Sequence, residues 1–178
     1  MDAALPTFET RRLYLRPSRP ADLEDFLAMD CDPAVARYIW GTPPDPAERR
    51  VELEKRLRPD DSRIGGHWTV VETATAEFLG WCGLMPLEET GLIEIGYRYL
   101  PKAWGRGVAT EAAAALLDHG FRASGFDPIV AVSHLENLAS HRVLQKIGLE
   151  RQPDGVHYGV TVAVFSLSRA GYLALAEE

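Results

Sequence analysis

The sequence predicts a mixed α/β protein, a largely antiparallel β block flanked by helices, and three observations carry that expectation. Three β-rich stretches, roughly residues 67–72, 77–85 and 91–100, succeed one another with turn signals at Thr73–Ala76 and Pro86–Gly91, the pattern of an antiparallel meander. Directly after them Ala109, Ala112, Ala113, Leu116, Leu117, Gly120 and Phe121 recur at helical spacing, so a single apolar stripe runs the length of one helix. The chain of 178 residues, 46% hydrophobic and 25% charged, has the size of one domain, and neither an internal repeat nor a dividing linker interrupts residues 1–178.

The other elements follow in order. Arg12 to Arg16 alternates as a strand does, and Ser18 to Asp22 offers caps before Leu23, Phe26 and Leu27 at i, i+3, i+4. Residues Gly41 to Pro46 break the chain; Glu48 to Leu57 then suits a helix whose Val51, Leu53 and Leu57 stand among charges, read as a surface flap and not as core. In the third β stretch Ile93, Ile95, Tyr97 and Tyr99 share one face and Glu94, Gly96 and Arg98 the other. A strand at Ile129–Ser133 precedes a helix from about Leu138 to Ile147, ended by Lys146 and Gly148, and residues 156–168 alternate as a terminal strand or hairpin.

Composition excludes several classes of function. No apolar run reaches the roughly 18 residues of a membrane helix, and Met1 to Pro6 lacks the basic and apolar regions of a secretory leader, so a cytoplasmic protein without a membrane partner is expected. Cys31 and Cys82 lie far apart without ligand spacing and read as two buried thiols. With 19 basic against 26 acidic residues the net charge is −7, which opposes nucleic-acid binding and favours a neutral or cationic partner. The five histidines form no metal motif, and no GxSxG or nucleophilic Cys pattern occurs, so neither a metal nor an acyl-enzyme is expected. His134, at a strand end, is either structural or a proton relay.

The segment Lys102-Ala-Trp-Gly-Arg-Gly-Val-Ala-Thr110 joins a strand directly to the striped helix. A helix N-terminus has unpaired N–H groups and a positive dipole end, and glycines let a ligand approach the backbone, so this junction is either a phosphate cradle or an ordinary tight turn. It is neither GxxxxGK[ST] nor the dinucleotide fingerprint, which would want Gly or Ala where Thr110 stands.

The run from Glu94 through Tyr97, Trp104, Gly105 and Gly107 to Ala112, followed by Glu136-Asn-Leu-Ala-Ser-His-Arg-Val-Leu-Gln-Lys-Ile-Gly-Leu149, resembles the GNAT N-acetyltransferases, and most closely their ribosomal-protein N-terminal acetyltransferase branch. The likeness extends from Glu9-Thr-Arg-Arg-Leu-Tyr-Leu-Arg16 to the last strand. It implies acetyl-CoA as co-substrate and a mixed, mostly antiparallel sheet that splays into a V. The family's Q/R-x-x-G-x-G/A loop falls on Lys102, Gly105 and Gly107, so that Trp104, Gly105, Arg106, Gly107, Val108, Ala109 and Thr110 would surround the CoA pyrophosphate; Lys102 departs from the usual Gln or Arg. Tyr97, Arg98 and Tyr99 would pair with the pantetheine arm through main-chain groups. Asn137 and Ser140 match the family's N-x-x-S at the pantetheine end, although Asn137 also suits a helix N-cap. Ser140 shares a helix face with Leu144 and Ile147, which should look toward the thiol.

Acetyl transfer to an amine requires that a proton leave the amine. Glu94 stands where relatives often keep a carboxylate acting through water; the alternative is a solvated strand residue. A strand N–H near Gly96 or Tyr97, freed by a bulge at Gly96, would meet the oxyanion. Leu144 occupies the position of the Tyr that many relatives use as general acid, which leaves Ser140 or a water for the departing thiolate. Tyr38, Trp40 and Asp45 lie where relatives line the acceptor side. The resemblance ranks a protein N-terminal amine first, ahead of a polyamine, an amino acid or an aminoglycoside, and implies a monomer or homodimer. A CoA-binding regulatory module without catalysis is the other reading, favoured by Leu144 and opposed by Glu94 and the intact loop.

Overall fold

The computed structural model describes residues 5–58 and 65–175; the N-terminal reading at Met1 to Ala4 lies outside them. Eight strands, β1 (Phe8–Glu9), β2 (Leu13–Pro17), β3 (Gly66–Glu72), β4 (Phe78–Pro86), β5 (Ile93–Tyr99), β6 (Ile129–His134), β7 (Glu150–His157) and β8 (Val160–Leu167), form one sheet in the order β1-β2-β3-β4-β5-β6-β8-β7. The expected meander is β3 to β5, and every neighbouring pair is antiparallel except β5 and β6. That parallel pair holds the register only at Ile93 with Ile129 and Glu94 with Val130, after which the two strands part and the sheet opens into a V.

Helices cover both faces. α1 (Leu23–Asp30), α2 (Pro33–Ala36) and α3 (Pro46–Arg56) lie on one side; α4 (Val108–Arg122) and α5 (Leu138–Lys146) lie on the other, and α6 (Arg169–Leu175) follows the last strand. Neighbours on one strand point to opposite faces. So Cys82 joins the core under α4, with Leu84, Ile95, Leu116 and Phe121, while Trp81 joins a second core with Phe26, Met29, Leu53 and Leu57. The apolar stripe read from the sequence is the buried face of α4. Its Gly120 is closely packed: a Cβ there would stand 2.7 Å from Ile129 Cδ1, so that side chain would have to shift.

Four expectations need correction. The segment read as a surface flap contributes core: Leu53 is 0% and Leu57 2% exposed, while Val51 faces solvent at 50%. Charges surround these leucines in sequence, but the helical period gathers them onto one side. Asp22 does not cap α1; it is buried, with Arg16, the Arg19 N–H and the Thr69 hydroxyl all donating to its carboxylate. The C-terminal hairpin begins at Glu150 and not at residue 156, because a register shift between Gln152 and Gly155 lets the sheet edge absorb Pro153 and hides the alternation. Cys31 is half-exposed at the end of α1, and only Cys82 is a buried thiol.

Candidate active site

The V is the site. A cleft of about 600 Å³ is lined from β5 by Glu94, Gly96, Tyr97 and Arg98, from β6 by Ser133 and His134, and from α5 by Asn137, Ser140 and Leu144. Ladder parity decides which main-chain groups face it. Leu100 N–H bonds Leu79 O and Leu87 N–H bonds Leu92 O, so with the unbroken β4–β5 register residues 94, 96 and 98 turn their main-chain groups toward β4. Tyr97 turns its own toward the gap, where no strand lies opposite. The bulge expected at Gly96 is therefore absent from this ladder; the parting of β5 from β6 frees a donor instead, and it is the Tyr97 N–H. Arg98 presents its side chain to the cleft, on the face away from α4, and Tyr99 is buried with its carbonyl accepting from Trp104 Nε1 at 2.8 Å.

At one end of the gap stands the glycine loop. Gly105 and Gly107 hold φ of +69° and +78°, left-handed values, and Gly107 is the N-cap of α4. The first backbone bond of the helix runs from Glu111 N–H to Gly107 O, so the N–H groups of Val108, Ala109 and Thr110 precede its ladder. Arg106 and Lys102 turn away to Glu72 and Glu77, leaving the loop's contribution to its backbone. Arg12, not singled out in the sequence, is pinned to Glu111 at 2.8 Å, and its guanidinium would stand 3.4 Å from a Cβ at Gly107. Positive dipole end, open amides and a cation beside them suit a pyrophosphate.

Glu94 is 7% exposed, which rules out the solvated reading. Burial pushes its carboxyl above the ordinary value, against the opposing hydrogen bond donated by the Tyr158 hydroxyl. Tyr158 was not legible as a site residue: it lies 64 positions away at the β7–β8 hairpin tip, which Glu88 ties down by accepting from the Tyr158 N–H and pairing with His157 at 2.9 Å each. Across the gap the Tyr97 and Ser140 hydroxyls bond at 3.0 Å, and burial pushes the Tyr97 phenol far up, so it stays neutral. Asn137 Oδ1 caps α5 by accepting from the Ser140 N–H at 3.2 Å, and the residue lines the cleft as well. Leu144 also lines it, whereas Ile147 packs against the main core. His134 Nδ1 accepts from Glu136 N–H at 3.1 Å, a local structural use.

The other wall carries Tyr38 and Trp40, together with Arg49, Arg56 and Trp81. Tyr38 packs against His134 with ring centres 5.5 Å apart and the planes tilted by 42°. Asp45 is not part of the site, because its carboxylate is spent on the Ala47 and Glu48 N–H groups as the N-cap of α3. The acid behind this wall is Asp30, fully buried, whose partners lie 19 and 68 residues away.

Residues 12–150 match the family model of the acetyltransferase (GNAT) domain. The chain is 34% identical over 143 residues to the YkkB protein of Bacillus subtilis (strain 168), covering 79% of this chain and 78% of that protein. It is 30% identical over 149 residues to the N-acetyltransferase YoaA of the same organism, covering 83% and 84%. The crystal structure of spermidine N-acetyltransferase from Vibrio cholerae in complex with CoA and spermine shares the fold, with a TM-score of 0.75 at 17% identity over 92% of this chain and 99% of that one.

Proposed function

Because this chain belongs to the GNAT family of acetyltransferases and is an N-acetyltransferase, we propose that it transfers the acetyl group of acetyl-CoA to a primary amine, first of all the N-terminal amine of a protein such as a ribosomal protein. The observation that carries the reading is the parting of β5 from β6 after Glu94, which leaves Tyr97 main-chain groups open beside a buried carboxylate and a helix N-terminus. The spermidine N-acetyltransferase that shares the fold was crystallised with CoA, which supports the choice of co-substrate. Residues 1–178 then act as one catalytic domain.

In this reading the amides of Val108, Ala109 and Thr110, with Arg12, would hold the pyrophosphate, and the Tyr97 carbonyl would accept from the pantetheine arm as from a partner strand. Acetyl-CoA supplies an activated acyl carbon when bound. Glu94, its carboxylate oriented by Tyr158, takes a proton from the acceptor amine through water. The Tyr97 N–H would stabilise the charge that develops on the thioester carbonyl oxygen. Ser140, its hydroxyl held by Tyr97, would hydrogen-bond the departing sulfur, which takes its proton from water. A buried, hydrogen-bonded Glu94 favours catalysis over a regulatory module.

Thiol release from acetyl-CoA, followed with a panel of peptide and small amines and with mass analysis of the product, tests this. Amine-dependent release with an acetylated product is expected, and an acetylated peptide N-terminus would set the acceptor class. Acetyl-CoA binding without release on any amine overturns it.

A further inference from the structure

The acceptor wall is an alternating stack of guanidinium groups and indoles. The guanidinium carbons of Arg49 and Arg98 lie 5.0 and 4.7 Å from the Trp40 ring centre, and those of Arg98 and Arg56 lie 5.7 and 4.2 Å from that of Trp81. All five side chains line the cleft. A guanidinium held by its face on an aromatic ring keeps its edge for hydrogen bonding, and its planar fork matches a carboxylate or phosphate.

Counter-charge for Arg98 and Arg49 is scarce. Asp30 serves both, with contacts of 2.5 Å to Arg98 and 2.7 Å to Arg49. Arg49 also meets Glu52 at 2.6 Å, but that side chain is 65% exposed and weakly coupled. Arg98 Nε is buried without a hydrogen-bond partner, and burial disfavours the Arg98 charge more than Asp30 restores it. Among the described residues, the one carboxylate lining the cleft is Glu94, already engaged by Tyr158. The net charge of −7 does not change this local sign, since exposed charges beyond about 10 Å are largely screened.

We propose that the acceptor carries an anion of the carboxylate type within a few bonds of its amine, and that Arg98 and Arg49 dock it. The inference rests on the acetyltransferase reading above. Gly96 and Arg98 share one face of β5 a single repeat apart, about 7 Å, so an amine at the gap beside Gly96 and an anion at Arg98 are spanned by a short molecule. A peptide N-terminus followed by an acidic residue and a free dicarboxylic amino acid both have this chemistry. A polyamine or aminoglycoside meets like charge instead.

The test compares kcat/KM of the wild-type protein for matched acceptors: the dipeptide amide Ser-Glu-NH2 against Ser-Gln-NH2, L-glutamate against its carboxylate-free diamide, and spermidine. In at least one pair the acid is expected to exceed its neutral isostere by about 10- to 100-fold, the scale of a charge-assisted hydrogen bond, with spermidine slowest; the better pair identifies the source. Arg98→Lys, which keeps the charge but loses the fork, should narrow that ratio. Neutral isosteres or spermidine turned over as fast as the acids overturn the inference and leave the acetyltransferase reading standing. No transfer to any amine removes both. The wild-type ratios decide even if the variant does not fold.

Discussion

Glu94 shows how one position on a strand acquires a chemical role. Its carboxyl is buried, so the ionised form is disfavoured and the proton leaves at a higher pH than from an ordinary glutamate. A proton acceptor must be ionised, so turnover should fall as pH drops through that raised value. Glu94→Gln is expected to lower turnover about 10²- to 10⁴-fold at neutral pH with acetyl-CoA affinity unchanged, and the loss should shrink at high pH, where the amine deprotonates unaided. Ser140→Ala should cost less and show no such recovery. Full activity of the Gln variant across the pH range would remove Glu94 from the reaction. Tyr158→Phe deletes the hydrogen bond that favours the ionised carboxylate. The acidic limb of its pH–rate profile should therefore move to higher pH, and an unmoved limb would show that the tip tyrosine does not tune Glu94.

At the scale of elements, α3 and the N-terminus of α4 separate packing from binding. Leu53, fully buried on the inner side of α3, should cost about 2 to 5 kcal/mol when changed to Ala, whereas Val51→Ala on the outer side should stay within about 0.5 kcal/mol. Urea melts of the two variants check this, and equal small losses would restore the surface-flap reading. Gly107 binds no core, yet its φ of +78° suits few residues other than glycine. Saturating acetyl-CoA, at about 100 times its dissociation constant, should add about 2.7 kcal/mol to the wild-type stability, and ATP far less. Gly107→Val should abolish most of that gain by forcing the amides of the first α4 turn out of line. An unchanged thermal shift in the variant would dissociate the loop from the cofactor.

The whole molecule is held partly by buried charges whose titration has a definite sign. Burial raises the Asp22 carboxyl, but Arg16, the Arg19 N–H and Thr69 together hold it below the ordinary value. Its contribution is therefore complete above the unfolded-state pKa and is lost as pH falls through the lowered one. His119 is also held below its ordinary value of 6.5, by desolvation, so the unfolded chain takes up that proton first and stability declines as pH falls below about 6.5. Stability should thus erode in two stages on acidification. Asp22→Asn should shrink the lower stage, to which Glu111 and Asp118 also contribute, leave the upper one, and cost about 3 kcal/mol at neutral pH by leaving Arg16 without its partner. Thermal melts from pH 7 to 3 check this, and parallel profiles for the two proteins would contradict it.

Much of this was legible from local patterns. The α4 stripe is one periodicity, the β3–β5 meander is three short runs with turn residues between them, and the glycine loop is a contiguous segment; in each, neighbours in sequence are neighbours in space. The alternation along β5 likewise separated the Glu94 face from the Tyr97 face before any partner was known. What only the tertiary structure decided lies at long separation. The pairing of Tyr158 with Glu94 spans 64 residues, that of Arg98 with Asp30 spans 68, and that of Tyr97 with Ser140 spans 43. Asp22 looked free to cap a helix until the fold brought Thr69, 47 residues on, to its carboxylate, whereas the donors to Asp45 lie two and three residues on and form a local N-cap. A side chain's chemistry is fixed by its type, but its ionisation, partners and orientation depend on burial and on groups brought by distant elements, and no local pattern in the chain encodes those.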